Sequence, residues 1–130
     1  MSSRAAIEKL LQELYAARLR GDLDGMLNTF TDDAKFEIAG ATDTSPVTIS
    51  AAGRADIRAW LALLIKTFHV SEQEILSLMI DDTRAAVHWR GGVRSRITGV
   101  SMLTEFIDVI SVHDGRIAAY TEFFIPRHSA

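Results

Sequence analysis

The segment from residue 100 to residue 112 predicts a β-strand that is apolar on both faces. Its even positions hold Met102, Phe106, Ile110 and Val112, and its odd positions hold Leu103, Ile107 and Val109. A strand of this kind has to be covered on both sides, because an exposed apolar face favours association with another surface. Helices of the same chain can cover one face. A closed pocket or a partner subunit then has to cover the other.

One charged residue, Asp108, interrupts the even row of this strand. A carboxyl group between Phe106 and Ile110 is partly desolvated, which raises its pKa unless a cation or hydrogen bonds compensate. Asp108 is therefore a candidate for acid/base chemistry. The alternative is a structural role, as an ion-paired or strand-end residue.

Three further segments have the character of strands, at about 69–80, 84–94 and 116–125. The clearest local signal is Asp114-Gly115, since Asp-Gly between alternating β-branched runs favours a two-residue hairpin turn. This half of the chain therefore predicts hairpin-linked strands.

The preceding half is mainly helical. Apolar residues recur at the helical period from Ser3 to Arg20, where Gly21 predicts the helix end, and Asp22 predicts the N-cap of a short second helix. A third amphipathic helix is predicted from Arg54 to Thr67.

Between the second and third helices, the alternation from Ala34 to Ile38 predicts a half-buried strand, and the stretch from Gly40 to Gly53 predicts a loop. Helices first and hairpins later indicate an α+β fold with an antiparallel sheet. At 130 residues, the chain is expected to form a single domain over 1–130.

Composition excludes several classes of protein. The chain has no cysteine, a formal net charge of -3 and scattered basic residues, so we expect neither a disulfide framework nor a nucleic-acid partner. Its longest apolar run, residues 59–65, is far shorter than a membrane helix. Metal-binding and nucleotide-binding motifs are absent from the sequence. We therefore expect a cytoplasmic protein without a membrane partner, a metal or a cofactor.

Polar side chains also occupy the even positions of two other strands. His88 and Arg90 lie in the segment before Asp108, and Tyr120 and Glu122 lie in the last strand. If the even rows face inward, these residues converge with Asp108. In the alternative interpretation His88 and Arg90 lie on an ordinary solvent face and Glu122 is exposed or structural. A bulge at Gly91-Gly92 would invert the pattern beyond it.

Three stretches carry a resemblance to a known family. They are GDLDGMLNTFTDDA at residues 21–34, Gly53-Arg54-Ala55-Asp56-Ile57, and Asp114-Gly115-Arg116-Ile117. Together with the order of elements, they resemble the nuclear transport factor two-like superfamily, on the branch of SnoaL-like polyketide cyclases and ketosteroid isomerases. The resemblance spans nearly the whole chain. It implies a cone in which a strongly curved antiparallel sheet wraps three N-terminal helices, opens to a small apolar ligand and commonly forms a homodimer.

The resemblance also implies roles for particular residues. Asp108 aligns with the protonated Asp of the ketosteroid isomerase oxyanion hole, whereas Ile38 occupies the position of the base and Leu14, next to Tyr15, that of the tyrosine. Because the base is missing, the resemblance argues against steroid isomerisation. In SnoaL-like cyclases an Asp on a late strand is the acid/base, and Asp108 matches it.

These observations lead to a preferred hypothesis. The chain is a homodimeric SnoaL-like protein that transfers a proton on a small carbonyl-containing or polyketide-like molecule, with Asp108 as general acid/base, His88 as its partner and Arg90 as the anchor of a ligand oxygen. The other expected pocket residues are Tyr15, Phe36, Ile38, Trp60, Tyr120, Glu122 and Phe124. One alternative is a binding or association module that keeps the fold without the chemistry. Another is a structural ion pair of Arg90 with Asp108.

Overall fold

The computed structural model describes residues 3–41 and 46–127, which form three helices and six strands. In chain order these are α1 (Arg4–Leu19), α2 (Leu23–Leu27), β1 (Phe30–Ala41), β2 (Pro46–Ala52), α3 (Arg54–Thr67), β3 (Phe68–Asp81), β4 (Arg84–Ser95), β5 (Ser101–His113) and β6 (Arg116–Pro126). The predicted α+β class is confirmed.

The helix boundaries follow the local signals of the sequence. The Ser3 side chain caps α1 by accepting the backbone N–H of Ala6, and Asp22 caps α2 by accepting that of Gly25. Gly21 joins the two helices with a φ of 68°, in the left-handed region that glycine adopts without strain.

The first strand and the expected loop differ from the prediction. β1 is longer than Ala34–Ile38, and much of the stretch predicted as a loop forms β2, which pairs antiparallel with β1 so that Ile49 lies opposite Ile38. Pairing decides the outcome here, because a neighbouring strand satisfies backbone groups whatever the local composition. Residues 42–45 of the expected loop lie outside the described residues.

The six strands form one curved sheet in the order β2-β1-β6-β5-β4-β3. All neighbouring pairs are antiparallel except β1 and β6, which run parallel, so the sheet is predominantly rather than wholly antiparallel. The strands in the hairpins β1–β2, β3–β4, β4–β5 and β5–β6 must be antiparallel. No short turn links β1 to β6, and their relative direction is free to differ.

The helices cover one face of the sheet, here called the inner face. Its most buried side chains include Val87 and Trp89 of β4 and Phe106, Asp108 and Ile110 of β5. Side chains of α1 and α3 complete the core, with Leu14, Ile57 and Leu61 almost inaccessible to solvent. The core therefore lies between the helices and the inner face.

The opposite, outer face of β5 and β6 remains open in the described chain. Ile107 lies opposite Phe123 across the strand pair, and the two are 42% and 46% exposed. Leu103 and Ile125 are exposed to a similar extent. The helices thus provide only one of the two covers that the β5 sequence requires.

Candidate functional site

A cavity of about 500 Å³ lies between the helices and the inner face of the sheet. Such a volume is in the range of small-molecule sites. Five of the expected pocket residues belong to its wall, namely Phe36, Ile38, Tyr120, Glu122 and Phe124. The rest of the wall is mostly apolar, so a polar group in it stands out.

The buried part of this wall holds an ion pair between Arg18 of α1 and Glu122 of β6. The guanidinium donates two hydrogen bonds to the carboxylate, Nη1 to Oε2 at 2.5 Å and Nη2 to Oε1 at 2.9 Å. The Tyr120 hydroxyl donates to the same Oε2 at 2.8 Å. A two-pronged pair of this kind fixes both side chains in direction as well as distance.

Arg18 is further held by two aromatic rings. Its guanidinium lies 5.2 Å from the ring centre of Trp89 and 5.4 Å from that of Phe106, and these two rings stack at 3.9 Å. A cation over aromatic faces is stabilised by their electron density. Although burial opposes its charge, the neighbouring Glu122 raises the pKa of Arg18, so the side chain stays charged.

Asp108 lies directly behind this pair and does not reach the cavity wall. It is fully buried, and its Oδ2 accepts hydrogen bonds from the Tyr15 hydroxyl at 2.5 Å and from the Trp89 indole N–H at 2.7 Å. Its other oxygen, Oδ1, has no hydrogen-bond partner among the described residues. A buried polar atom of this kind calls for a proton or another partner.

The pKa values of Asp108 and Glu122 are shifted in opposite directions. Burial, followed by the charge of Glu122, raises the pKa of Asp108 well above its usual value. The pKa of Glu122 is lowered, because the charge and hydrogen bonds of Arg18 outweigh its burial. These opposite shifts favour a neutral Asp108 beside an ionised Glu122, and a proton on Asp108 would give Oδ1 a hydrogen bond to donate to Glu122. The pair resembles two carboxyl groups that share one proton.

Both tyrosines of the cluster remain donors. Burial is the largest cause that raises the pKa of Tyr15, and the charge of Glu122 adds to it. The same two causes raise the pKa of Tyr120. With Arg18 positive, Glu122 negative and Asp108 neutral, the cluster carries no net charge.

His88 and Arg90 do not belong to the site, and the expectation that they face inward is wrong. In the register of β4 and β5, Val87 is opposite Asp108, whereas His88 is opposite Ile107 on the outer face. Parity is carried from strand to strand only by the register, and here an odd position of β4 accompanies an even position of β5.

On the outer face both residues have other partners. The His88 Nε2 lies 2.5 Å from Glu105, and Arg90 donates to Glu74 at 2.9 Å. An ion pair of Arg90 with Asp108 is thereby ruled out.

The bulge considered at Gly91-Gly92 is absent from β4, and the irregularity lies in the facing strand β3. The register of β3 shifts between Ser71 and Glu74, while odd positions of β4 continue inward as far as Val93, a wall residue. Gly91 allows this close approach, since a Cβ there would lie 3.0 Å from the Ser71 carbonyl oxygen.

Two other expected pocket residues lie outside the wall. Tyr15 is buried behind it and contacts Asp108, and Trp60 is half-buried against the core from the side of α3. Both are aromatic, and an aromatic residue at a helical core position does not by itself distinguish a wall from a core.

The residue that the sequence analysis missed is Arg18. It follows Leu11 by seven positions, Leu14 by four and Tyr15 by three, which puts it on the buried stripe of α1. Its place on that stripe was a usable signal, but a position in the last turn of a helix also suits a basic residue for electrostatic reasons.

A model of the SnoaL-like domain matches residues 11–120, which is most of the chain. The chain belongs to the SnoaL-like family. The resemblance to the nuclear transport factor two-like superfamily is confirmed. Among curated proteins, no match is found.

Several solved structures share the fold of this SnoaL-like chain. A candidate isomerase from Bacillus subtilis is 23% identical, with a TM-score of 0.81 over 96% of this chain and 90% of that one. A candidate polyketide cyclase from Xanthomonas campestris pv. campestris is 21% identical, with a TM-score of 0.72 over 94% and 92%. An epoxide hydrolase from M. tuberculosis is 16% identical, with a TM-score of 0.69 over 90% and 80%. At these identities the likeness shows the fold alone.

Residues 3–41 and 46–127 contain neither a cluster of metal-binding side chains nor a membrane-spanning helix. No group of three His, Asp or Glu side chains there is arranged to hold a metal ion. No helix in the same ranges has the length and apolar character needed to cross a bilayer.

Proposed function

We propose that this SnoaL-like protein binds a small, mostly apolar molecule through a carbonyl oxygen and transfers a proton on it. The observation that carries the proposal is Glu122, held by two hydrogen bonds against Arg18 in the wall of an apolar cavity, with the buried Asp108 behind it. Paired titratable groups whose surroundings drive their pKa values apart are the usual basis of acid and base roles.

Arg18 is the group that would bind the ligand oxygen. A guanidinium has five N–H donors, and two of them are used by Glu122. Its side chain keeps 18% exposure, toward the cavity. A donor that already points at the place where negative charge develops stabilises an enolate without reorganisation.

Glu122 would act as the base. Its carboxylate removes a proton from the carbon next to the carbonyl, and the electron pair of that C–H bond moves to the oxygen bound by Arg18. The protonated Glu122 then returns the proton to the same or a conjugated carbon, which balances an exchange or an isomerisation. Asp108 touches no ligand in this scheme and is a positioning residue, since its proton fixes the Glu122 carboxylate from behind.

The test does not require the natural substrate. 2-Decanone is incubated with the protein in D₂O, and the loss of the α-proton signals is followed by NMR, while shifts of the protein signals report binding. We expect exchange faster than in buffer, and we expect Glu122→Gln to slow it by about 10²–10⁴-fold while it still binds the ketone.

The matched control is Glu105→Gln on the outer face, where the same change should leave exchange unaltered. Bound ketone without exchange would contradict proton transfer. The absence of any binding by 2-decanone and its homologues would contradict the proposal as a whole.

A second function is favoured by one observation, which is that both oxygens of Glu122 already accept hydrogen bonds from Arg18, and one of them also from Tyr120. A carboxylate with so many partners is a weak base. A non-catalytic binding module would then hold the ketone with α-protons that exchange no faster than in buffer.

We also propose that the outer face is the interface of a homodimer. Exposed apolar side chains cluster there, among them Ile107, Phe123 and Ile125, and contiguous apolar surface of this kind marks an interaction site. A second copy presents the same strip and has the same need to cover it, which a twofold axis satisfies for both.

A further inference from the structure

The mouth of the cavity differs in charge from its buried part. The charged and titratable side chains of the described wall are Arg18, Glu122, Tyr120, His69 and Arg96. Arg18 and Glu122 neutralise each other in the buried part. The charge that remains is that of Arg96, which lies with His69 nearer the solvent.

Arg96 is fixed in place by the end of α3. Its backbone N–H donates to the Thr67 carbonyl at 2.8 Å, and its side-chain Nε donates to the Ile65 carbonyl at 3.1 Å. A basic side chain suits this position, because the C-terminal end of a helix is electronegative. Among residues 3–41 and 46–127, the two terminal nitrogens of the guanidinium have no hydrogen-bond partner, and their donors can serve a ligand.

The surroundings of Arg96 add to its positive charge. The two segments that build this part of the wall, residues 57–71 and 90–104, contain no Asp or Glu. Of their basic residues, Arg58 and Arg90 pair with Asp24 and Glu74 from elsewhere in the chain, and the others are Lys66, Arg94 and Arg96. The whole chain has a net charge of -3, so the mouth is basic against an acidic background. A local field of this sign draws in anions.

We infer that the ligand of this cavity is amphipathic, with its carbonyl oxygen at Arg18 and an anionic group at the mouth beside Arg96 and His69. The inference rests on the proposed function, since it adds a second anchor to the molecule proposed there. Carboxylate and phosphate share the chemistry that an Arg recognises, because both match its planar fork of donors.

The cavity also fixes the size of such a molecule. Along β5, six residues separate the level of Asp108 from Met102 at the mouth, which corresponds to about 20 Å of extended strand. A volume of about 500 Å³ accommodates roughly 15 atoms of the size of a water molecule. A twelve-carbon chain is shorter than this length when extended and fits within this volume.

The experiment compares three probes by isothermal titration, namely 11-oxododecanoate, its methyl ester and the corresponding phosphate monoester. We expect the keto acid to bind about fivefold more tightly than the ester, the gain of one partly exposed ion pair. Added salt should weaken the binding of the keto acid and leave the binding of the ester unchanged. Tighter, Arg96-dependent binding of the phosphate would support the anionic anchor and identify phosphate as its source.

Arg96→Gln should lower the affinity for the keto acid to that for the ester, and the affinity for the ester should not change. Binding of the ester by the variant also shows that the variant is folded. The matched control is Arg94→Gln, which removes the same charge two residues earlier in the chain, at a residue outside the wall. Equal affinity for keto acid and ester, or an equal effect of both variants, would overturn the inference while leaving the proposed function intact. If none of the three probes binds, it is the proposed function that fails.

Discussion

Removal of Arg18 should expose the energetic cost of the buried Glu122. The variant Arg18→Met keeps the aliphatic length of the side chain but leaves the carboxylate, which is 2% exposed, without its cation. Breaking a buried ion pair at one end costs about 3–5 kcal/mol. Because the Arg18 side chain is 18% exposed, the lower end of that range, about 3 kcal/mol, applies.

The measurement is urea unfolding at pH 7, followed by tryptophan fluorescence. In thermal unfolding, a second measurement on the same variant, 3 kcal/mol corresponds for a chain of this size to a fall in Tm of about 10 °C. Arg20→Met is the control, since Arg20 lies two residues on and its pair with Asp22 is exposed. The control variant should lower the free energy of unfolding by less than about 0.5 kcal/mol.

A second variant separates charge from packing. In Arg18→Met combined with Glu122→Gln no charge is left unpaired, while the new amide oxygen still accepts from Tyr120, so most of the lost stability should return. A cost of the single variant below about 1 kcal/mol would refute the reasoning. So would a double variant no more stable than the single one.

Three further predictions concern the same network and the outer face. Asp108→Asn should be at least as stable as the wild type at pH 7, because the amide mimics the protonated acid. Because the pKa of Asp108 is raised in the folded state, its contribution to stability is complete below the pKa of the unfolded state, near 4, and declines as pH rises. The stability advantage of the variant should therefore vanish in acid. A marked loss of unfolding free energy by the variant in urea at pH 7 would show that Asp108 is ionised. Tyr120→Phe should cost about 1 kcal/mol of unfolding free energy, through one hydrogen bond to Glu122. Ile107→Lys should convert a dimer to a monomer in analytical ultracentrifugation, and an unchanged sedimentation coefficient would place the interface elsewhere.

Much of the fold could be predicted because local signals decided it. Ser3, Gly21 and Asp22 determine helix ends through their own backbone or side-chain chemistry, and the Asp114-Gly115 turn needs no information from the rest of the chain. The parallel direction of β1 and β6 had no such signal, since no turn connects them.

The site was harder to predict because it depends on register. Asp108 could be recognised as buried from its own strand, but the strand order and register that bring it against Glu122 and Val87 are properties of the sheet. The cation of the site, Arg18, lies in α1, 90 positions before Asp108 in the sequence. Arg90 is much nearer to Asp108 in the sequence, which explains why it was wrongly predicted to be the cation.

The parallel seam between β1 and β6 has a consequence for how the chain folds. It joins Phe36 to Tyr120, so it closes a loop that contains most of the protein. Contacts of such long range are slow to form, because the loop entropy is lost before the contact is gained. The antiparallel pairs from β3 to β6 join strands that are neighbours in the sequence, so their contacts need only short loops to close. β1 has to wait for the last strand before its backbone and the cavity behind it are complete.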